Sequence, residues 1–308
     1  MEIQPKLCVN VAKTNHICSA MNRGGIYIST ACVRNPTIGA SVRQLAEAGY
    51  THIELSGGTQ PYPEMEQELL DLQREFGLSY VCHNYFPPPE SPFVINLASL
   101  DDDTYERSVE NIEKAIALSR LLGVDFFGFH AGFLFNIPVS QIGKSIAQQT
   151  LFDHDRAMRR FVTSLGVLTA KHPDLKLYVE NNVLAGMNYT NFDGRNPFFL
   201  TTAAELQALE QAQPFNLLLD VAHLKVSAQT LGLDFERELA LMMAASDYIH
   251  ISDNDGSADT NGVFREGSDM HNLLLKYNFT GKRITLETYG GLDVLAESFQ
   301  TAKTLIHA

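Results

Sequence analysis

Eight short apolar segments recur along the chain, most of them separated by amphipathic stretches. This alternation limits the available folds more than any other feature. The segments are IYISTAC from Ile26, HIELS from His52, SYVCHN from Ser79, FFGFH from Phe126, KLYVEN from Lys176, NLLLD from Asn216, DYIHIS from Asp247 and RITLET from Arg283. Most are rich in β-branched or aromatic residues, NLLLD being rich in leucine, and they are bounded by polar or glycine-containing turns, as strands are. Helical periodicity is clearest in DDDTYERSVENIEKAIALSRLLG, where Val109, Ile112, Ile116 and Leu121 fall near helical spacing. Acids open that segment and Gly123 closes it. Further helices are expected over Ile38 to Ala48, Glu64 to Phe76, Ala157 to Ala170 and Val294 to Ile306. Strands alternating with helices pair in parallel, and eight such units point to a (β/α)8 TIM barrel, an α/β fold in a single domain. The rival is an open doubly wound sheet, but no GxGxxG follows the first strand. The barrel is expected over residues 26–308, behind an N-terminal extension of residues 1–25.

The loops after strands three, four, five and seven are long: Tyr85 to Leu100, Ala131 to Gln149, Asn181 to Leu200 and Asp253 to Asp269. Helix-to-strand connections are short, so one face of the barrel carries the long loops that build a site. Charge narrows the class of partner. Asp and Glu number 36 against 23 Lys and Arg, for a formal net charge of −13. A protein that grips nucleic acid through its phosphates carries a basic face. A small-molecule substrate therefore fits better than nucleic acid. No apolar run approaches the roughly 18 residues a membrane helix needs. The opening MEIQPKLCVNVAK holds no signal-peptide core, so a cytoplasmic protein with no membrane partner is expected. Cys8, Cys18, Cys32 and Cys82 form no CxxC pair and read as reduced thiols. Nothing in the composition opposes a homo-oligomer.

Six of the eight expected strands end, or nearly end, in a metal-capable side chain: His83, His130, Glu180, Asp220, His250 and Glu287. His223 follows Asp220 by three residues in LLLDVAHLK. Parallel strand ends converge on one mouth, so these groups are expected to lie together. Two glutamates and an aspartate buried there require compensating positive charge, and no lysine or arginine occupies the other strand ends. A divalent cation would supply it. Carboxylate oxygens combined with imidazole nitrogen suit Mn, Co, Zn or Mg without choosing among them. His16, His52, His154, His172, His271 and His307 occupy no such position and are expected to be surface or core residues.

VEN at Glu180, LDVAH ending at His223, HISDNDG at His250 and LETYGG at Glu287 resemble, in order, the metal-binding strands of the xylose-isomerase-like barrels. That superfamily includes sugar isomerases, sugar epimerases and endonuclease IV. The resemblance covers Ile26 to the C-terminus in architecture. It implies that Glu180, Asp220, His250 and Glu287 hold one cation and that His223 contacts a substrate oxygen. It also implies a metal-dependent sugar or sugar-phosphate isomerase/epimerase acting on a small carbohydrate. His83 and His130 would line the substrate pocket or, as in endonuclease IV, join Glu180 around a second metal.

A cation on adjacent carbonyl and hydroxyl oxygens stabilises an enediolate and eases removal of the α-proton. Glu180 and Glu287 are the expected catalytic acid/base pair. Returning the proton to the other face gives epimerisation, and returning it to the neighbouring carbon gives aldose–ketose isomerisation. Lys225 and Arg265 are read either as binders of an anionic substrate group or as solvated charges. Tyr85 and Phe86, in the proline-stiffened NYFPPP, are expected to wall a sugar ring. The alternative activity is a metal-dependent phosphodiesterase resembling endonuclease IV, which carries an Asp-x-His for a third zinc after strand seven. Here Asp259 and Asn261 align with that motif, so its histidine is missing, and Asp269-Met270-His271 falls too late to supply it.

Overall fold

The computed structural model describes residues 24–307, so the expected extension lies outside the described residues except for its last two positions. The strands are β1 (Gly25–Ser29), β2 (His52–Leu55), β3 (Ser79–His83), β4 (Phe126–His130), β5 (Lys176–Glu180), β6 (Asn216–Asp220), β7 (Ser246–Ile251) and β8 (Arg283–Leu286). Each pairs in parallel with the next, and β8 returns to β1 to close the barrel. Helices cover its outside, so both faces of every strand are buried. This explains why the strands read as nearly unbroken apolar runs.

Ten α-helices are described: α1 (Ile38–Glu47), α2 (Met65–Phe76), α3 (Asp102–Leu121), α4 (His154–Lys171), α5 (Gly186–Asn191), α6 (Ala203–Ala212), α7 (Val221–Leu231), α8 (Phe235–Ala245), α9 (Asp269–Leu274) and α10 (Leu292–His307). Asp101 opens α3 and Asp153 opens α4, each carboxylate accepting a backbone N–H at 2.9 Å. Such caps contribute about 1 kcal/mol apiece. Gly77, at φ 65°, closes α2 in the left-handed region where glycine has no Cβ penalty. No helix among the described residues is long and apolar enough to cross a membrane.

Side chains alternate along each strand, so every second residue points into the barrel. Tyr27, Phe126, Tyr178 and Tyr248 fill its lower part, with Phe126–Tyr178, Phe126–Tyr248 and Tyr178–Tyr248 edge contacts of 6.0, 5.7 and 5.4 Å. The Arg283 guanidinium lies 3.5 Å above the Phe126 ring centre. The barrel is therefore a packed core. Two residues further along β5 and β7 stand Glu180 and His250. In β4, a Cβ on Gly128 would lie 2.8 Å from Leu218 and 3.3 Å from the His83 ring, so its absence makes room for that imidazole. Register then sets neighbours: His130 lies beside Glu180, and Asp220 beside His250.

Candidate metal centre

The chain turns directly from β6 into α7 at Asp220. Its Oδ1 accepts the His223 backbone N–H at 2.7 Å, which caps the helix and places His223 one turn above the strand end. The Asn181 amide ties the ends of β5 and β6 together, accepting from Asp220 N at 2.7 Å and donating to Asp220 O at 3.0 Å. His223 Nδ1 donates to the Asn181 carbonyl at 2.9 Å, leaving Nε2 facing Asp259 at 3.4 Å and Asp220 at 3.8 Å.

Glu180 stands at the centre of the cluster, fully buried. Its Oε2 accepts from His83 Nε2 at 2.7 Å and lies 3.3 Å from His130 Nδ1. Its Oε1 has no hydrogen-bond partner among the described residues, and neither does His250 Nδ1. These two orphaned atoms face each other at 3.6 Å, and Glu287 Oε2 lies 3.4 Å from His250 Nδ1. Glu180, Asp220 and His250 each offer one ligand atom, all within 4.8 Å of one another. Buried, unpartnered oxygen and nitrogen atoms at this spacing fit a divalent cation, which would satisfy both.

The electrostatics agree with a site arranged for positive charge. Burial pushes the Asp220 carboxyl up to about 7; His223 opposes the rise and Asp259 and Glu180 reinforce it. Burial would likewise raise Glu180, but the His130, His83 and His250 imidazoles hold it well below the usual carboxylate range. Burial would lower His250, yet Glu54 and Glu287 lift it well above the ordinary histidine value. Burial pulls His130 down to about 4, so its imidazole is neutral near pH 7.

Glu54 belongs to this cluster although it was not among the residues expected from sequence. It sits inside β2 rather than at a strand end, between buried Ile53 and Leu55. A lone carboxylate among apolar strand residues was the available signal. Asp259, noted in the sequence only as an aligned position, is the second addition.

Other expected site residues fall elsewhere. Lys225 Nζ lies 3.0 Å from Asp253 Oδ1 and also bonds the Asn254 carbonyl, so its charge is already compensated. Arg265 pairs with Glu297 at 3.0 Å with both side chains exposed, as a surface ion pair. Phe86 is fully buried, which corrects the expectation that it walls a ligand; half-buried Tyr85 remains near the site, 6.5 Å from His130 ring to ring. His172 bonds Glu113 and Arg120, and His271 bonds Thr304 and Gly267 N, so both serve the scaffold.

Comparisons with known structures agree with this architecture. A D-tagatose 3-epimerase-like protein superposes with a TM-score of 0.67 at 16% identity, covering 92% of this chain and 97% of its own. D-psicose 3-epimerase from Clostridium cellulolyticum, with D-tagatose, gives 0.62 at 13%, with 92% and 98% covered. Endonuclease IV from Thermus thermophilus gives 0.56 at 18%, with 92% and 97% covered. At these identities the likeness shows the fold alone. No curated protein sequence gives a significant match. The family of xylose isomerase-like TIM barrels matches residues 42–305, and it is to this family that the chain belongs.

Proposed function

We propose that this protein is a metal-dependent sugar or sugar-phosphate isomerase/epimerase in which Glu180, Asp220, His250 and Glu287 hold the cation. The observation that carries the reading is the pair of buried, unpartnered atoms Glu180 Oε1 and His250 Nδ1, facing each other beside Glu287 and Asp220. The epimerases among the structural neighbours support the substrate class. When bound, a divalent cation supplies Lewis-acid polarisation of a substrate carbonyl. The protein's own task is to move a proton at the adjacent carbon. β5 and β8 stand three strands apart around the ring, so Glu180 and Glu287 approach a bound sugar from different sides. One removes the proton and the other returns it. Neutral His130 lines the same mouth as His223, whose proton Asp220 and Asp259 hold, despite burial, well above the ordinary histidine range, and both rings are placed to contact substrate oxygens.

The test is a panel of ketoses, aldoses and their phosphates incubated with metal-loaded protein in deuterated water. Deuterium is expected next to the carbonyl of at least one of them. Exchange into none would overturn the reading.

Metal binding is expected to weaken in acid. Below about pH 7 the metal-free site holds a proton on Asp220, and the ion needs the carboxylate. Affinity should therefore fall about tenfold per pH unit below 7 for each displaced proton, and because His250 keeps its proton above the ordinary histidine value the gain with pH continues past 7. The folded chain keeps a proton that an unfolded aspartate releases above its ordinary value of 3.8, so this group destabilises the metal-free fold as pH rises from there to about 7. The metal-induced rise in Tm should consequently be larger at pH 8 than at pH 6, and an equal rise at both would count against Asp220 as a ligand.

Phosphodiester cleavage is not expected. Asn261 Nδ2 donates to Asp259 Oδ2 at 3.2 Å, and an asparagine amide nitrogen has no lone pair to offer zinc. Abasic-site DNA should remain uncut in excess zinc, and a net charge of −13 repels the duplex. Robust metal-dependent cleavage at physiological salt would instead establish the nuclease activity.

A further inference from the structure

Glu54 is a carboxylate with no solvent exposure at the centre of the barrel, directly beneath the candidate metal centre. Its Oε2 accepts from His250 Nε2 at 2.9 Å, from Thr285 Oγ1 at 2.9 Å and from the Tyr248 hydroxyl. Its Oε1 accepts from Ser56 Oγ at 3.3 Å and lies 3.6 Å from His83 Nδ1. Ser56 is in turn bonded to Ser29 at 2.8 Å. Groups on β3, β7 and β8 thus converge on one side chain of β2. Burying a carboxylate so completely is costly unless donors surround it, and here both oxygens are occupied. Oε2 is filled by its three donors and Oε1 is engaged by Ser56 and faces His83, so Glu54 is better placed to hold the two histidines than to ligate an ion, although Glu54, His83 and His250 lie close together.

We infer that Glu54 is a positioning residue that fixes the orientation and tautomer of His250, and through His83 the orientation of Glu180, for a cation bound above it. The inference rests on the metal-binding reading proposed above. An ionised carboxylate only accepts hydrogen bonds, so the proton shared with Glu54 sits on His250 Nε2. A bound cation would displace the ring's other proton, so the lone pair it meets lies on Nδ1, the atom that faces Glu180 Oε1 and Glu287 Oε2. His83 repeats the device one step removed. Its Nδ1 faces Glu54 and its Nε2 meets Glu180 Oε2, which leaves Glu180 Oε1 as the oxygen turned to the ion. A carboxylate behind a metal-ligating histidine fixes the ring and raises its basicity, and losing such a partner typically weakens metal binding about 10–100-fold.

The experiment is calorimetric titration of manganese and zinc into wild-type, Glu54→Gln and Glu54→Ala proteins, with thermal unfolding of each metal-free form to read the structural contribution separately. Glutamine keeps the size and one acceptor oxygen, so a graded series is expected: about tenfold weaker binding for Glu54→Gln and about a hundredfold for Glu54→Ala. Proton NMR of 15N-histidine-labelled, zinc-loaded protein should show a solvent-protected Nε2–H on His250, assigned by its absence in His250→Gln. That signal should be lost in Glu54→Ala. Should Glu54→Ala fail to fold, Glu54→Gln carries the test. Wild-type protein that binds metal alongside variants that bind equally well would overturn the role of Glu54 alone. Wild-type protein that binds no metal would overturn the metal reading, and this inference with it.

Discussion

Replacing Glu180 or Glu287 with glutamine is expected to slow deuterium exchange into substrate by about 10²–10⁴-fold, the usual worth of general acid–base catalysis. Glutamine preserves length and one ligand oxygen but cannot accept and return a proton at carbon. The two positions differ in burial. Glu180 is held on one side by His83 and has a free Oε1, whereas Glu287 keeps 15% of its side chain exposed at the mouth. Glu180→Gln also removes a charge from between His83, His130 and His250, so it should cost more metal affinity than Glu287→Gln. Mass spectrometry of substrate recovered from deuterated water reads the exchange, and elemental analysis reads the retained metal. Normal exchange in both variants would remove the proton-transfer mechanism, whatever the fold.

Asp220→Ala is expected to lose bound metal almost entirely after dialysis. The substitution would act twice, because Asp220 caps α7 with one oxygen and, in the proposed site, would give the other to the ion. Losing the cap costs about 0.5–2 kcal/mol, which lowers Tm without by itself emptying the site. Asp220→Asn separates the two effects, since an amide oxygen still caps the helix while the ligand charge is gone. Both variants should be metal-poor, and the alanine variant should also be the less stable. Full occupancy surviving in Asp220→Ala would remove this residue from the ligand set.

The barrel was legible because its strands are buried on both faces and end in polar residues. NLLLD and RITLET announce themselves without any tertiary information. Helices α5, α7 and α9 were less visible for definite reasons. α5 and α9 have six residues each, too few to show a period, and α7 follows β6 with no loop. Val221, Ala222, Leu224 and Val226 are all buried there, so strand and helix read as one apolar run. The strand-end rule brought Glu180, Asp220, His250 and Glu287 into view and passed over Glu54, which lies two residues short of the end of HIELS. Lys225 looked like a free cation because its partner Asp253 is 28 residues away, a pairing that only the β6 and β7 ends create. Phe86 looked like a pocket wall because proline-rich loops usually run on the surface; here it turns into the core.

Anomalous diffraction from crystals soaked in manganese or zinc tests the central claim most directly. One peak is expected about 2.0–2.2 Å from Glu180 Oε1, from His250 Nδ1 and from carboxylate oxygens of Asp220 and Glu287. Soaked crystals with no peak among these atoms, or with the ion held by His83 and His130 instead, would contradict it.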